Sequence, residues 1–181
     1  MSKLYPTADQ TVGPYYAIGM EFPKSEEIVP AGSAGSIVLS GYVYDGAGNP
    51  VPDAVVEIWQ TDADGGIPAV SGGLNRKADS FSGFGRSGSD EEGHYEFTTV
   101  LPAPTAPGKP ALFATVVFAR GLLSRLHTRI YVPGPELEND EFLSRLSPER
   151  RATLVATEVP GGLRHDIHLQ GEKETVFLAF N

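Results

Sequence analysis

The sequence contains no cysteine, and its 181 residues include only four histidines and a single tryptophan. Without cysteine the chain forms no disulfide, and metal sites built on thiolates are excluded. Any metal bound by its side chains would need His, Tyr, Asp or Glu as ligands. A chain of this length buries a sufficient apolar core without covalent cross-links, and it fits a single domain.

Basic residues are also scarce, because 14 Lys and Arg stand against 23 Asp and Glu, for a formal net charge of -9. This balance argues against a nucleic-acid-binding surface, which needs clustered cations. The sequence lacks an apolar run near the roughly 20 residues of a membrane span. Its first ten residues, MSKLYPTADQ, lack the blocks of a signal peptide. We therefore expect no nucleic-acid or membrane partner and a cytoplasmic location.

The first 35 residues lack the periodicity of a helix or a strand. Pro6, Pro14, Pro23 and Pro30 interrupt this region, and glycines lie between them. Proline and glycine at this density oppose regular structure. The sequence therefore predicts an extended N-terminal arm over residues 1–35, without a helix, followed by one domain over residues 36–181.

Short apolar segments separated by turn residues fill the rest of the chain, and this pattern predicts strands. The predicted strands are SIVLSGYVYD, AVVEIWQTD, SDEEGHYEFTTVLP, LFATVVF, RLHTRIYV, GLRHDIHLQG and ETVFLAF. A turn in DGAGNPVPDA joins the first two, and the glycine-rich residues 62–93 indicate a long surface excursion. Only ENDEFLSRLSPERRATLVA predicts a helix, with Phe142, Leu143 and Leu146 on one face. Seven or more short strands indicate an all-β fold, a sandwich of the immunoglobulin or transthyretin kind.

The histidines do not predict a metal site. His165 and His168 are three residues apart, so on a strand they point to opposite faces. His127 lies between Arg125 and Arg129 at alternate positions, which places the three side chains on one face of a strand. Neighbouring cations repel a metal ion, so a structural hydrogen bond is the simpler role for His127. The sequence also lacks a GxSxG motif and a carboxylate pair at a defined spacing.

Two other segments contain candidate functional residues. The apolar run Leu112–Phe118 predicts a strand buried on both faces, and Arg120 follows at its end. In QTVGPYY, Gly13 and Pro14 predict a tight bend, and Tyr15 and Tyr16 follow with aromatic rings and hydroxyl groups. Anchoring of the arm on the protein's own core is an alternative to a binding role for this motif.

Five segments resemble the intradiol ring-cleavage dioxygenase family. They are QTVGPYYAIG, SGYVYDGAGNPVPDAVVEIWQTDADG, FGRSGSDEEGHYEFTTVLP, FARGLLSRLHTRIY and GEKETVFLAF, which cover almost the whole chain in order. The resemblance is strongest to the alpha chains of the two-chain members. It implies a transthyretin-like β-sandwich, an alpha-beta protomer within a larger hetero-oligomer, and non-haem Fe(III) held by two Tyr and two His of the partner beta chain.

The sequence departs from the iron-binding pattern of the family. It has no tyrosine between Tyr44 and Tyr95, Thr105 stands near the place of the second tyrosine, and the two histidine positions are Leu112 and Ala114. We therefore expect this chain to supply neither a metal ligand nor a catalytic residue. Apolar or small residues at these positions suggest that packing fills the former site.

The resemblance also implies which residues of this chain bind substrate. These are Thr11, Gly13, Pro14 and Arg120, with Tyr15 adjacent, and they would line the mouth of a pocket formed with the beta chain. An arginine there would attract an anionic substrate, although an interface salt bridge is an alternative role for Arg120.

The implied activity is the O₂-dependent cleavage of 3,4-dihydroxybenzoate (protocatechuate) to 3-carboxy-cis,cis-muconate, in the β-ketoadipate pathway of aromatic catabolism. Two alternatives remain open at this point. One is a stand-alone transthyretin-like binding module without a catalytic role, and the other is a homomeric iron enzyme with unusual ligands.

Overall fold

A computed structural model describes residues 7–68 and 81–179. Its described strands, numbered in chain order, are β1 (Ser36–Tyr44), β2 (Val55–Trp59), β3 (Phe84–Gly88), β4 (His94–Val100), β5 (Leu112–Phe118), β6 (Leu126–Tyr131), β7 (Thr157–Val159), β8 (Gly162–Arg164) and β9 (Ile167–His168). The helices are α1 (Tyr16–Met20) and α2 (Pro148–Ala152), and two 3-10 turns cover Pro135–Asn139 and Leu143–Arg145. No helix in these ranges is long and apolar enough to cross a membrane.

The strands form two sheets that pack into a sandwich, so the predicted all-β fold is confirmed. One sheet has the order β4-β1-β8-β7, with β9 also pairing with β1, and the other has the order β3-β2-β5-β6. Alternate residues of each sheet point inward and form one apolar core. Leu39 and Val43 from the first sheet meet Ile58, Phe113 and Val117 from the second, all fully buried.

The strand β5 has the predicted bounds, but its burial on both faces is incomplete. Phe113 and Val117 face the core, whereas Ala114 points to the outer face and is exposed. The expectation was wrong at Ala114 because no element of the described chain packs over that part of the outer face.

The predicted turn after β1 joins β1 to β2, but the two strands lie in different sheets. Both edges of β1 are occupied by other strands, by β4 on one side and by β8 and β9 on the other. The turn itself is real, since the Asp45 carboxylate accepts the backbone N–H groups of Ala47 and Asn49 at 2.9 and 2.8 Å. After the turn the chain pairs only briefly with the end of β1, where the Val51 N–H donates to the Val43 carbonyl at 2.9 Å. It then crosses to the other sheet and forms β2.

The prediction that residues 62–93 lack regular structure was wrong for β3. Gly85 lies inside β3, and a Cβ atom there would come within 2.8 Å of the Ile28 side chain. The glycine thus permits close packing of a strand where the sequence suggested a break. Residues 69–80 of the predicted excursion lie outside the described residues.

The helix predictions also need correction. The N-terminal region contains α1, which sequence reading missed, and the single predicted helix is divided into two 3-10 turns and α2. Ser147 and Pro148 explain the division, because Ser147 accepts the Arg150 N–H as an N-cap and Pro148 suits only a first helical turn. The last predicted strand, ETVFLAF, is reduced in the described residues to a bridge between Leu178 and His127.

Residues 25–28 connect the two sheets at one side of the sandwich. The Arg86 N–H of β3 donates to the Ser25 carbonyl at 2.8 Å, and the Thr98 N–H of β4 donates to the Glu26 carbonyl at 3.1 Å. The Ile28 N–H in turn donates to the Thr98 carbonyl at 2.8 Å. The region before β1 is therefore hydrogen-bonded to both sheets, while its separation as an arm ending at residue 35 stays a prediction.

Candidate functional site

The N-terminal region and the end of β5 meet at one hydrogen bond. The Gly121 N–H donates to the Thr11 hydroxyl at 2.7 Å, across a sequence separation of 110 residues. Gly121 directly follows Arg120, so this bond brings two of the predicted site residues into one surface region. We call this region, Thr11 to Pro14 together with Arg120 and Gly121, the arm surface.

Arg120 lies at the arm surface with about half of its side chain exposed, and one Nη atom lies 3.0 Å from the Asp53 carboxylate. Asp53 precedes β2 in a turn and has a positive φ of 62°, a conformation that aspartate tolerates better than most residues. The sequence did not predict Asp53 as the ion-pair partner of Arg120. The ion pair fixes the guanidinium but leaves further N–H donors for another anion.

Gly13 and Pro14 form the turn that leads into α1. The Gly13 carbonyl accepts the Tyr16 N–H at 3.1 Å, and a Cβ atom at Gly13 would meet no atom within 4 Å. Of the two tyrosines, Tyr16 packs on Phe118 of β5 with ring centroids 5.4 Å apart, whereas Tyr15 is 78% exposed. Tyr16 therefore anchors this segment, and Tyr15 is available for contact with another molecule.

A buried ion pair fixes the other end of α1. Arg86 Nε donates to the Glu57 carboxylate at 2.8 Å, and Arg86 Nη1 donates to the Met20 carbonyl at 2.6 Å. The side chains of Arg86 and Glu57 are only 12% and 8% exposed. This contact attaches α1 to the outer face of β2 and β3, so the position of the arm surface depends on it.

The positions that the resemblance matches to iron ligands differ in their surroundings. Leu112 packs against a smaller apolar cluster outside the main core, next to Tyr131 and Leu137, as expected for a filled site. Ala114, in contrast, lines an open pocket of about 580 Å³ between Trp59 and Arg129, so the former site is not filled there. Thr105 lies exposed in the loop before β5. Sequence reading missed this pocket because its shape depends on side chains from three strands.

The residues at the matched positions do not fit a ferric ion. Leucine and alanine offer no donor atom, and the hard ferric ion needs oxygen or imidazole ligands. Among residues 7–68 and 81–179, no group of three or more His, Asp or Glu is placed to hold a metal. No step of a reaction is therefore assigned to iron within this chain.

His165 and His168 lie in different surroundings. His165 is buried and its Nε2 donates to the Thr153 carbonyl at 3.0 Å, whereas His168 stacks on Tyr44 with ring centroids 5.0 Å apart. Burial lowers the pKa of His165 to about 4, against the opposing hydrogen bond and the charge of Asp166. His165 is thus a neutral structural residue at neutral pH.

Arg125, which precedes β6, lines the pocket at Ala114 together with His127 and Arg129 of β6. Arg125 Nε donates to His127 Nε2 at 3.1 Å. His127 Nε2 is therefore the acceptor of this hydrogen bond. The pocket wall therefore presents two arginines around a hydrogen-bonded histidine.

Comparison with known proteins identifies relatives over the full length of the chain. A family described as Dioxygenase matches residues 12–171. The chain is 34% identical to the protocatechuate 3,4-dioxygenase alpha chain of Burkholderia cepacia, with 98% of both chains covered. It is 35% identical to the alpha chain of the Pseudomonas putida enzyme, with 96% of both covered. The beta chain from Burkholderia cepacia is 31% identical, over 77% of this chain and 66% of that one.

Solved structures show the same fold. The dioxygenase domain of a fusion protein from Streptomyces sp. SirexAA-E superposes with a TM-score of 0.55 at 24% identity, covering 91% of this chain and 96% of that one. Catechol 1,2-dioxygenase from Acinetobacter sp. ADP1 superposes with a TM-score of 0.58 at 22% identity, covering 78% and 55%. Sequence and fold agree with the resemblance found in the motifs, and the chain belongs to the intradiol ring-cleavage dioxygenase family.

Proposed function

We propose that this chain is the alpha subunit of a protocatechuate 3,4-dioxygenase and that a partner beta chain holds the catalytic iron. The enzyme would add both atoms of O₂ to 3,4-dihydroxybenzoate and form 3-carboxy-cis,cis-muconate, so that all atoms of both reactants are retained. Intradiol dioxygenases are non-haem Fe(III) enzymes, and the matched ligand positions of this chain have leucine and alanine. The named alpha and beta relatives support a division of this activity between two chains.

The observation that carries the proposal is the hydrogen bond between Thr11 and Gly121. It holds the N-terminal segment against the end of β5, so that Thr11, Gly13, Pro14 and Arg120 can act as one wall of a substrate pocket. The wall lacks its own catalytic groups and would need a second chain opposite it. In this arrangement the chain positions substrate for iron chemistry on the partner.

Charge supports the assignment of Arg120 to substrate binding. The substrate is a carboxylate, and this chain has a formal net charge of -9 that repels anions. The half-exposed Arg120 guanidinium supplies a local positive charge. Asp53 occupies only some of its N–H donors, so the others can bind an anion. Arg120 would therefore attract the substrate carboxylate and orient it at the pocket mouth.

Exposed apolar side chains next to the arm surface support a protein partner. Tyr15, Ile18 and Leu123 are 78%, 71% and 62% exposed. Two of them belong to the segment that follows Thr11, and Leu123 lies three residues after Arg120. Aromatic and aliphatic side chains in this setting are typical of interfaces between chains.

Purification of the tagged chain from its native cells tests the proposal. We expect a second chain at equal stoichiometry by native mass spectrometry, with about one iron per pair and O₂ uptake on addition of protocatechuate. A chain that purifies alone, while the protocatechuate-dependent O₂ uptake stays in the unbound fraction, would contradict the proposal and favour a stand-alone binding module. Iron bound by this chain itself would favour a homomeric enzyme instead.

A further inference from the structure

The outer face of the sheet β3-β2-β5-β6 has a row of neighbouring planar side chains with one gap. Strand register places Phe84 beside Trp59, Trp59 beside Ala114, and Ala114 beside Arg129. The rings of Phe84 and Trp59 have centroids 4.8 Å apart, and the Arg129 guanidinium lies 5.3 Å from the centroid of Phe142. Only Ala114 contributes no planar group, so the row is interrupted in the middle.

The gap has the width of one aromatic ring. Neighbouring strands lie about 4.8 Å apart, so a ring above Ala114 would be roughly 5 Å from both flanking groups. Aromatic pairs prefer centroid separations of about 4.5–7 Å, and a cation stacks on a ring within about 6 Å. The pocket at Ala114 has a volume of about 580 Å³, and Trp59 is 43% exposed, so a ligand can reach the gap.

The charge of the pocket favours an anion. Arg125 and Arg129 line it, and neither forms a salt bridge within the described part of the chain. The acidic lining residue, Glu57, is already paired with Arg86 on the sheet. The pocket therefore has an excess of positive charge in a chain that is acidic overall.

The two arginines retain donors for a ligand. Arg125 uses Nε for His127, and Arg129 uses Nη1 for the Tyr131 hydroxyl at 3.0 Å. A guanidinium has five N–H groups, so each arginine can donate further hydrogen bonds, and its planar fork matches a carboxylate. These existing bonds also fix both guanidinium groups before a ligand arrives.

We propose that this pocket binds a planar aromatic carboxylate, whose ring occupies the gap above Ala114 between Trp59 and Arg129. The carboxylate faces the wall formed by Arg125 and Arg129. This site adjoins the pocket that Val12 of the arm surface lines, because both pockets share Phe118 and Arg125. It lies within one chain, so it needs neither iron nor a partner. A loss of ring planarity or a loss of the negative charge would each remove one of its two sources of affinity.

Fluorescence of the full-length chain tests the proposal, because Trp59 is the only tryptophan and lines the site. We expect sodium benzoate to change its emission in a saturable manner. Cyclohexanecarboxylate, which keeps the charge but not the planar ring, and benzamide, which keeps the ring but not the charge, should each bind at least about tenfold more weakly. Equilibrium dialysis with labelled benzoate should give about one molecule per chain.

Matched variants locate the site. Ala114→Phe fills the gap and should abolish benzoate binding, and Arg129→Gln should weaken it about tenfold. The same substitutions at exposed positions outside the pocket, Ala47→Phe and Arg145→Gln, should leave the affinity unchanged. Circular dichroism establishes that each variant is folded, and if Ala114→Phe does not fold, Arg129→Gln and the analogue series decide the outcome.

Four results would overturn the proposal. The first is the absence of a saturable response to benzoate in the folded chain. The second is equal affinity for benzoate and cyclohexanecarboxylate. The third is displacement of benzoate by an equal concentration of inorganic phosphate, which would identify a general anion site. The fourth is unchanged binding in folded Ala114→Phe. None of these results bears on whether the chain pairs with an iron-containing partner, so the two proposals fail independently.

Discussion

The guanidinium of Arg120 lies 3.0 Å from the carboxylate of Asp53, and both side chains remain partly exposed. Exposed ion pairs contribute little to stability. The pair instead fixes the direction of Arg120 at the end of β5, next to the hydrogen bond between Thr11 and Gly121. Substitution of Arg120 and substitution of Asp53 should therefore change kcat/KM in opposite directions.

Arg120→Ala should lower kcat/KM for protocatechuate about tenfold in the assembled enzyme, with unchanged iron content, because a charge contact with substrate is lost. The kcat/KM of the variant should also depend less on ionic strength. Asp53→Asn removes the competing negative charge and should raise kcat/KM at low salt. Steady-state kinetics over a range of salt concentrations measure all three effects.

Arg145→Ala is the control for these kinetics, because Arg145 pairs with Glu141 at an exposed site far along the chain. The kcat/KM of Arg145→Ala should equal that of the parent enzyme at each salt concentration. If an intact, iron-replete Arg120→Ala assembly matches the parent at every salt concentration, Arg120 does not act on substrate. If the variant assembly dissociates, Arg120 stabilises the interface between subunits instead.

The full-length chain expressed alone should not bind stoichiometric ferric iron. Leu112 and Ala114 offer no ligand atoms at the two matched histidine positions. Iron loading followed by desalting and metal analysis measures this, together with the visible absorption of tyrosinate bound to iron. One tightly bound iron per isolated chain would contradict the prediction.

Arg86→Ala should destabilise the fold by about 3–5 kcal/mol, because it leaves the buried Glu57 carboxylate unpaired. The double variant Arg86→Leu with Glu57→Leu should recover most of this loss, since it leaves no buried charge. Urea unfolding measures both free energies. A single variant as stable as the parent would show that solvent reaches Glu57 and that the ion pair does not stabilise the attachment of α1.

The stability of the fold should decrease in mild acid because of His165. Burial lowers its pKa to about 4 in the folded chain, whereas the unfolded value is about 6.5. Between these values the unfolded state binds more protons, so the free energy of unfolding falls as the pH falls through this range. The loss attributable to His165 is roughly 2 kcal/mol at pH 5 relative to pH 8.

Urea unfolding of His165→Gln at several pH values tests this assignment, with His94→Gln as the control. In His165→Gln the free energy of unfolding should lose most of its pH dependence between pH 5 and pH 7, whereas His94→Gln should keep it. The reverse pattern, or an unchanged pH dependence in both variants, would show that His165 is not the responsible group.

The sequence predicted individual strands better than their pairing. The bounds of β5 follow from its apolar run, and the common face of Arg125, His127 and Arg129 follows from the strand period. The pairing of β1 has a different origin, because β4, β8 and β9 occupy both edges of β1. Competition between distant strands is not encoded in the local pattern of a turn.

The candidate site shows the same limit. Motifs identified Thr11 and Arg120 separately, but their proximity depends on a hydrogen bond across 110 residues. Asp53 had no local signal as the partner of Arg120, since both residues lie in turns. The pocket at Ala114 was hidden for a similar reason, because it requires the register of three strands and a small residue between two large ones.

The hydrogen bonds of residues 25–28 have a consequence for how the protein avoids aggregation. These residues cover part of the free edge of β3 and part of the free edge of β4, and the bond from the Leu178 N–H to the His127 carbonyl covers part of the β6 edge. An uncovered edge strand recruits strands from other molecules. The remaining edge, β7, is only three residues long and is followed by Pro160, which lacks the N–H needed to extend a ladder. Association with other chains is thereby directed to side-chain surfaces, and shortening the chain before β1 would open two sheet edges at once.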